Sequence, residues 1–150
     1  MTTMTLSAAG EALIKRFEGY RAATYLDQGG VPTIGWGHTG WYSPGVLVAL
    51  GQTCTIEQAD EWFQTDTAWA CRAVNELITR PMTQNQFDAL VDFTYNCGRA
   101  ALAHSTVRRD FNEGDETGAA YALLEWDYVG PYQSAGLEAR RKAERDLFLS

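Results

Sequence analysis

FEGYRAATYLDQGGVPTIGWGHTG, residues 17–40, decides how the chain folds. A helical period enters it from the N-terminal side, with Leu13, Ile14 and Phe17 on one face, and stops at Gly19. Glycine adopts the left-handed conformation that ends a helix without steric cost. From Tyr20 to about Thr39, aromatic and β-branched residues alternate with glycines, the pattern of short antiparallel strands. The stretch therefore predicts a helix beginning after Ser7, followed by a small sheet.

Further along, Thr55 opens TIEQ, a capping box ahead of a long helix to about Ile78. Trp62, Phe63, Trp69, Val74, Leu77 and Ile78 supply its apolar positions. Pro81 separates it from a second capping box, Thr83 to Gln86, whose helix carries Phe87, Leu90, Val91 and Tyr95 and ends at Gly98. Shorter helices are expected at about 105–112 and 116–128. A last one, GLEARRKAERDLFLS, is expected to turn Leu137, Ala143, Leu147 and Phe148 toward the core. No repeat, low-complexity tract or linker interrupts the pattern, so residues 1–150 read as a single domain. The layout is α+β and mainly α: a small antiparallel β-sheet lobe, a helical lobe, and a cleft between them where a ligand is expected.

A net charge of −7 argues against nonspecific binding to nucleic acid or to anionic membranes. The longest aliphatic run, VLVAL at 46–50, is too short to span a bilayer. MTTMTLSAAGEALIKRF lacks the basic and apolar regions of a signal peptide, so a soluble cytoplasmic product is expected. Cys54, Cys71 and Cys97 match neither a zinc spacing nor a disulfide framework. They read as buried thiols in a reducing compartment, with a chance pair left open. GWGHTG at 35–40 fits the dinucleotide fingerprint G-x-G-x-x-G, but WYSPG follows where a helix should open. With two histidines and no HExxH, His38 reads as structural and hydrogen-bonded, and no metal or cofactor is expected.

Three residues in the opening stretch bear chemistry. Glu18 falls in the last turn of the first helix, against the negative end of the macrodipole, unfavourable for a carboxylate by roughly 0.3–1 kcal/mol. A carboxyl that holds its proton is what a general acid requires. Taken alone, Glu18 is as well described as an exposed glutamate at a frayed helix end. Asp27 precedes paired glycines, where aspartate is a common turn-former; functionally, a solvated aspartate serves as a base. Thr33 fits a strand by propensity, and its hydroxyl could hold a water against Asp27. Two carboxyls in unlike environments form the acid/base pattern of glycosidases.

Glu18, Asp27 and Thr33 within EGYRAATYLDQGGVPTIGWGHTG resemble the catalytic set of the phage-type lysozymes, or endolysins, glycoside hydrolase family 24. QNQFDALVDFTYNCG resembles that family's central helix, FNEGD a later helix–turn segment, and GLEARRKAERDLF its C-terminal helix. The resemblance implies a lysozyme-like fold and hydrolysis of the β-1,4 bond between N-acetylmuramic acid and N-acetylglucosamine, without a cofactor. It implies acid, base and water-holder for Glu18, Asp27 and Thr33. It also implies a cleft-lining role for Asn96, which reads equally as a helix C-terminal asparagine, and a pairing of Arg140 with the catalytic glutamate. The expected partner is the peptidoglycan glycan strand, met by a monomer that inserts in no membrane. The resemblance further implies accumulation in an infected host's cytoplasm and release through a holin pore. A lytic transglycosylase, a chitin-directed hydrolase and a non-catalytic wall-binding module are the rival readings. The first runs on a single glutamate, and the last is disfavoured by the intact pair of acids.

Overall fold

The computed structural model describes residues 2–150. It gathers the chain into two compact units, Lys15–Ala68 and a second that joins the N-terminal residues up to Ile14 with Trp69–Ser150.

Helix α1, Ala8–Glu18, ends where the sequence places its stop: Gly19 has φ 74° and its N–H returns to the Lys15 carbonyl at 2.9 Å. Strands β1, Arg21–Leu26, and β2, Pro32–Gly35, form an antiparallel hairpin that pairs Tyr25 with Thr33 and Leu26 with Pro32. A second hairpin, β3 Trp41–Ser43 and β4 Val46–Leu47, lies beyond the stretch in which strands were expected. Helix α2, Ile56–Leu77, begins at the expected box. Gln58 N–H donates to Thr55 Oγ1 at 3.2 Å, and Thr55 N–H donates back to Gln58 Oε1 at 2.9 Å. Each such bond satisfies an amide that the first helical turn leaves without a partner. Within the Lys15–Ala68 unit, Ile34, Ala59 and Phe63 are buried.

In the other unit, helix α3, Gln84–Cys97, is buried continuously from Gln86 to Thr94. Its capping box is formed at Thr83 and Gln86, and Gly98 closes it with φ 101°. Helices α4 Arg99–His104, α5 Thr106–Glu113 and α6 Glu116–Ala122 follow. Ser105 and Asp115 cap α5 and α6 with their side-chain oxygens. A short 3-10 turn, Leu123–Glu125, then leads into hairpin β5 Tyr128–Val129, β6 Tyr132–Gln133. The helix expected over 116–128 is therefore shorter, because the chain turns at Gly130–Pro131 into strands. Phe87, Leu90, Phe93, Leu102, Phe111 and Leu123 are fully buried around α3. At the N-terminal end, Ser7 bonds Asp88 through its hydroxyl and its amide, and Met4 N–H donates to Asn75 Oδ1 at 2.9 Å.

Helix α7, Ala135–Leu149, corrects the expectation for its inner face. Phe148 is buried, but Arg140, Arg141 and Glu144 accompany it, while Leu137, Ala143 and Leu147 are only half-buried. Charges at these positions are tolerated because they are paired. Arg140 Nε and Nη2 donate to both oxygens of Asp92 on α3, at 3.0 and 2.7 Å. Arg141 donates to Glu144 Oε2 and Asn96 Oδ1, both at 2.8 Å, and its guanidinium lies 5.2 Å over the Phe93 ring. Burial holds the Glu144 carboxyl well above the usual range, reinforced by the neighbouring Asp92 carboxyl, against the pull of Arg141 and Arg140. That shift favours the protonated form of Glu144, in which two acids share one buried site without like-charge repulsion.

The three cysteines are free and half-buried rather than fully buried. Among the described residues no helix is long and apolar enough to cross a membrane.

Candidate active site

Glu18, Asp27 and Thr33 all fall within the Lys15–Ala68 unit. Glu18 is the last residue of α1 and is half-buried. A methyl group built on Gly37 would sit 3.0 Å from Glu18 Oε2, so any side chain there would crowd the carboxyl. Gly37 belongs to a tight turn closed by two bonds between Ile34 and His38, of 2.9 and 2.8 Å. The GWGHTG glycines thus shape a turn beside an acid, and no helix opens there. Gly35, with φ 65°, approaches Ala59 on α2, and Gly37 has φ 79°.

His38 anchors that turn. It is buried, stacks on Trp62 with ring centroids 4.5 Å apart, and places Nδ1 2.7 Å from Asp66 Oδ2 and Nε2 2.7 Å from the Trp41 carbonyl. A carbonyl and a carboxylate both accept, so both ring nitrogens are placed to donate. Burial depresses the His38 pKa, but the Asp66 hydrogen bond, the Trp41 carbonyl and the Asp66 charge outweigh it and raise the pKa. The imidazole is structural, as its sequence context suggested.

Asp27 is exposed and stands at the end of β1. Its Oδ1 accepts from the amides of Gly29 and Val31, each at 2.8 Å, and its own amide donates to the Val31 carbonyl at 3.0 Å. These contacts occupy Oδ1 and orient the carboxyl plane. Thr33 is buried, and its hydroxyl donates to the same Val31 carbonyl at 2.9 Å. Since its hydrogen is committed there, Oγ1 faces any further partner as an acceptor. Val31 therefore joins Asp27 to Thr33. Sequence reasoning missed it because its contribution is made by main chain; the only signal was its place between paired glycines and Pro32.

In the other unit, Asn96 is exposed in the last turn of α3 and accepts from Arg141, and Arg140 is fastened to Asp92. Asp92 and Arg141 carried no sequence signal that set them apart from ordinary helix-surface charges. Among the described residues no cluster of three His, Cys, Asp or Glu side chains could hold a metal ion.

The model of the phage lysozyme family matches residues 15–144. The endolysin of Salmonella phage P22 is 42% identical, over 98% of this chain and 99% of its own length. Among solved structures, the endolysin of Escherichia coli O157:H7 phage FAHEc1 superposes with a TM-score of 0.92 at 39% identity, covering 99% of this chain and 96% of that one. The muramidase domain of SpmX from Asticaccaulis excentricus gives 0.86 at 41% identity, covering 97% and 98%. Sequence and fold agree over almost the full length, and together they define the class: a lysozyme, a glycoside hydrolase with a mainly helical fold and small antiparallel hairpins. Within that class the chain belongs to the phage lysozyme family.

Proposed function

We propose that Glu18 is the general acid, and that Asp27 with Thr33 activates water, in cleavage of the β-1,4 bond between N-acetylmuramic acid and N-acetylglucosamine. The activity is that of the family, bacteriolytic hydrolysis of peptidoglycan. The observation that carries the residue assignment is the shared Val31 carbonyl, which fixes the Thr33 hydroxyl as an acceptor beside an oriented Asp27.

A water that donates one proton to Thr33 Oγ1 and the other to Asp27 Oδ2 has its lone pair directed away from both. As the glycosidic C–O bond breaks, Glu18 delivers its proton to the leaving oxygen. The water oxygen bonds the anomeric carbon, and its proton passes to Asp27. Glu18 ends ionised and Asp27 protonated, so charge balances and proton exchange with solvent resets the pair.

In the same reading Asn96 and Arg140 support the substrate and the acid, and no metal or organic cofactor takes part. Residues 1–150 act as one lysozyme domain and as a monomer. The enzyme accumulates in the infected host's cytoplasm and reaches the wall through a holin pore. A transglycosylase would close a 1,6-anhydro ring with one glutamate and would have no use for the Asp27–Thr33 pair. Mass analysis of digested peptidoglycan tests the reading. Reducing-end muropeptides are expected; anhydro-muropeptides, or no soluble product, would overturn it.

A further inference from the structure

We propose that the outer face of the β3–β4 hairpin, carried by Trp41 and Leu47, is a sugar-stacking subsite for the peptidoglycan glycan strand. The proposal rests on the reading of that strand as the ligand, and not on the roles given to Glu18, Asp27 and Thr33.

Successive side chains of a strand point to opposite faces, and this hairpin uses its two faces differently. On the inner face Val48, the residue after β4, is buried. The Tyr42 ring lies 5.5 Å from that of Trp62, and its hydroxyl donates to the Thr53 carbonyl at 2.7 Å. On the outer face Trp41 and Leu47 are register partners, so their side chains stand side by side, and they are 61% and 58% exposed. A solvated ribbon face ordinarily carries polar side chains. This one offers an indole and an isobutyl group to water.

The platform is held by ordered main chain. His38 Nε2 lies 2.7 Å from the Trp41 carbonyl, and Val48 N–H donates to the Gly40 carbonyl at 2.7 Å. The Gln52 side chain donates to the Leu47 carbonyl at 3.1 Å and accepts from the Ala49 amide at 2.9 Å. A ring on so fixed a backbone loses little freedom when a ligand stacks on it. The platform is also continuous with the candidate site. Thr33 lies on β2, the next residue, Ile34, is bonded to His38, and His38 holds Trp41.

Charge identifies the occupant. From Gln28 to Ile56 the sequence has no Asp, Glu, Lys or Arg, although the chain is 21% charged and carries −7 overall. An acidic protein repels the carboxylates of the stem peptides that hang from a glycan strand, and this tract contributes no like charge against them. The face of an indole, negative at its centre, suits the C–H bonds on the flat side of a pyranose ring. Its N–H suits a sugar hydroxyl or an N-acetyl oxygen. Anionic lipid is a poorer occupant, because membrane-surface segments combine apolar residues with Lys and Arg, and the tract has neither. A second copy of the chain is poorer still, since two side chains fall far short of the roughly 800 Å² a side that a stable interface buries.

The test uses glycan strands stripped of stem peptides by an amidase, added to Glu18→Gln protein so that the strand stays whole. The Trp41 indole N–H signal in NMR is identified by its loss in Trp41→Phe. A saturable shift of that signal is expected. No shift at strand concentrations that saturate the protein by calorimetry would overturn the proposal. So would a shift seen only with phosphatidylglycerol vesicles, or only with rising protein concentration. In steady-state kinetics, Trp41→Ala should raise KM for stripped strands about 10-fold, the scale of one aromatic stacking contact, with kcat much less affected. Trp41→Phe should restore most of that loss. Because the NMR measurement needs no alanine variant, a Trp41→Ala that failed to fold would not shelter the proposal. An unchanged KM for Trp41→Ala, beside ordinary cleavage, would remove the subsite and leave the hydrolase reading standing. A shifted Trp41 signal on strands that the unaltered protein binds but never cleaves would support the subsite and remove the hydrolase reading.

Discussion

Asp27 and Thr33 donate to one oxygen, the carbonyl of Val31, from an amide at 3.0 Å and a hydroxyl at 2.9 Å. That shared acceptor decides the polarity of the site, because it consumes the threonine hydrogen and leaves only lone pairs for water. Thr33→Val keeps the shape and removes the acceptor. Its expected effect is a drop in kcat of at least about 10-fold, with a stability cost of about 1 kcal/mol for the lost hydrogen bond. Thr33→Ser, which can donate and accept in the same way, should retain most of the rate. Equal rates for the valine and serine variants in a lysis assay would remove Thr33 from the mechanism.

Glu18→Gln should lose at least about 10²-fold in rate, since an amide cannot protonate a leaving oxygen. The same change takes a carboxyl away from the negative end of α1, a placement unfavourable to a carboxylate by roughly 0.3–1 kcal/mol. Its melting temperature is therefore expected to hold or rise unless an attraction to Arg140 offsets the relief; a clear drop would show that such an attraction outweighs the dipole. Parallel calorimetry and turnover on one homogeneous preparation would expose either error.

The stereochemical outcome distinguishes a base from a nucleophile at Asp27. Water activation inverts the anomeric carbon and calls for carboxyls roughly 6.5–9.5 Å apart, against about 5–5.5 Å for a covalent route. An NMR time course on a soluble glycan fragment should show the α-anomer first. A β-anomer first, or a trapped ester on Asp27, would replace the water with direct attack.

The His38–Asp66 pair makes stability depend on pH. Burial alone would depress the histidine, but its partners raise it above the ordinary value. Such a group stabilises the fold fully below its unfolded pKa of about 6.5, and the contribution fades as pH rises through the folded pKa. Asp66→Asn should therefore cost roughly 1.5–3 kcal/mol at pH 5, the range for hydrogen bonds to charged groups, and much less at pH 9. A cost independent of pH would show that His38 is neutral throughout.

Glu144 behaves oppositely to a surface acid. Its buried carboxyl is raised well above the usual range, so stability it contributes below its unfolded pKa of about 4.3 is lost as pH rises toward the folded value. Glu144→Gln should be neutral or stabilising, with an advantage that grows from pH 4 to pH 8 in melts. Removing Asp92 instead leaves Arg140 without the carboxylate that takes its Nε and Nη2, and should cost about 3–5 kcal/mol.

Much of this architecture is local chemistry and could be read without coordinates. Thr55 with Gln58, Thr83 with Gln86, and Gly19 each declare a helix boundary through residues at most three apart. The family was likewise legible, as a resemblance carried by the spacing of Glu18, Asp27 and Thr33. What the sequence concealed depends on distant partners or on main chain. Asp92 looks like a solvated helix charge until Arg140, 48 residues later, meets it. Val31 meets Asp27 and Thr33 through an amide and a carbonyl, neither of which has a residue-type signature. The β5–β6 hairpin was not expected although Gly130–Pro131 marks its turn; the helix expected over 116–128 reached its first residue, Tyr128.

The unit that holds α3 is discontinuous in sequence, closing only when residues before Lys15 join those after Ala68. Vectorial synthesis therefore delivers its first segment early and the acceptors of that segment late: Ser7 leaves the ribosome some eighty residues before Asp88, and Asp92 on α3 then waits a further 48 residues for Arg140 on α7. The hairpin bearing Asp27 and Thr33, and the β3–β4 hairpin after it, need no residue after Ala68 to complete their own pairing. A permuted chain that starts at Lys15 and carries the present N-terminal segment behind Ser150 would make both units contiguous. Its refolding should lose the delay that long loop closure imposes.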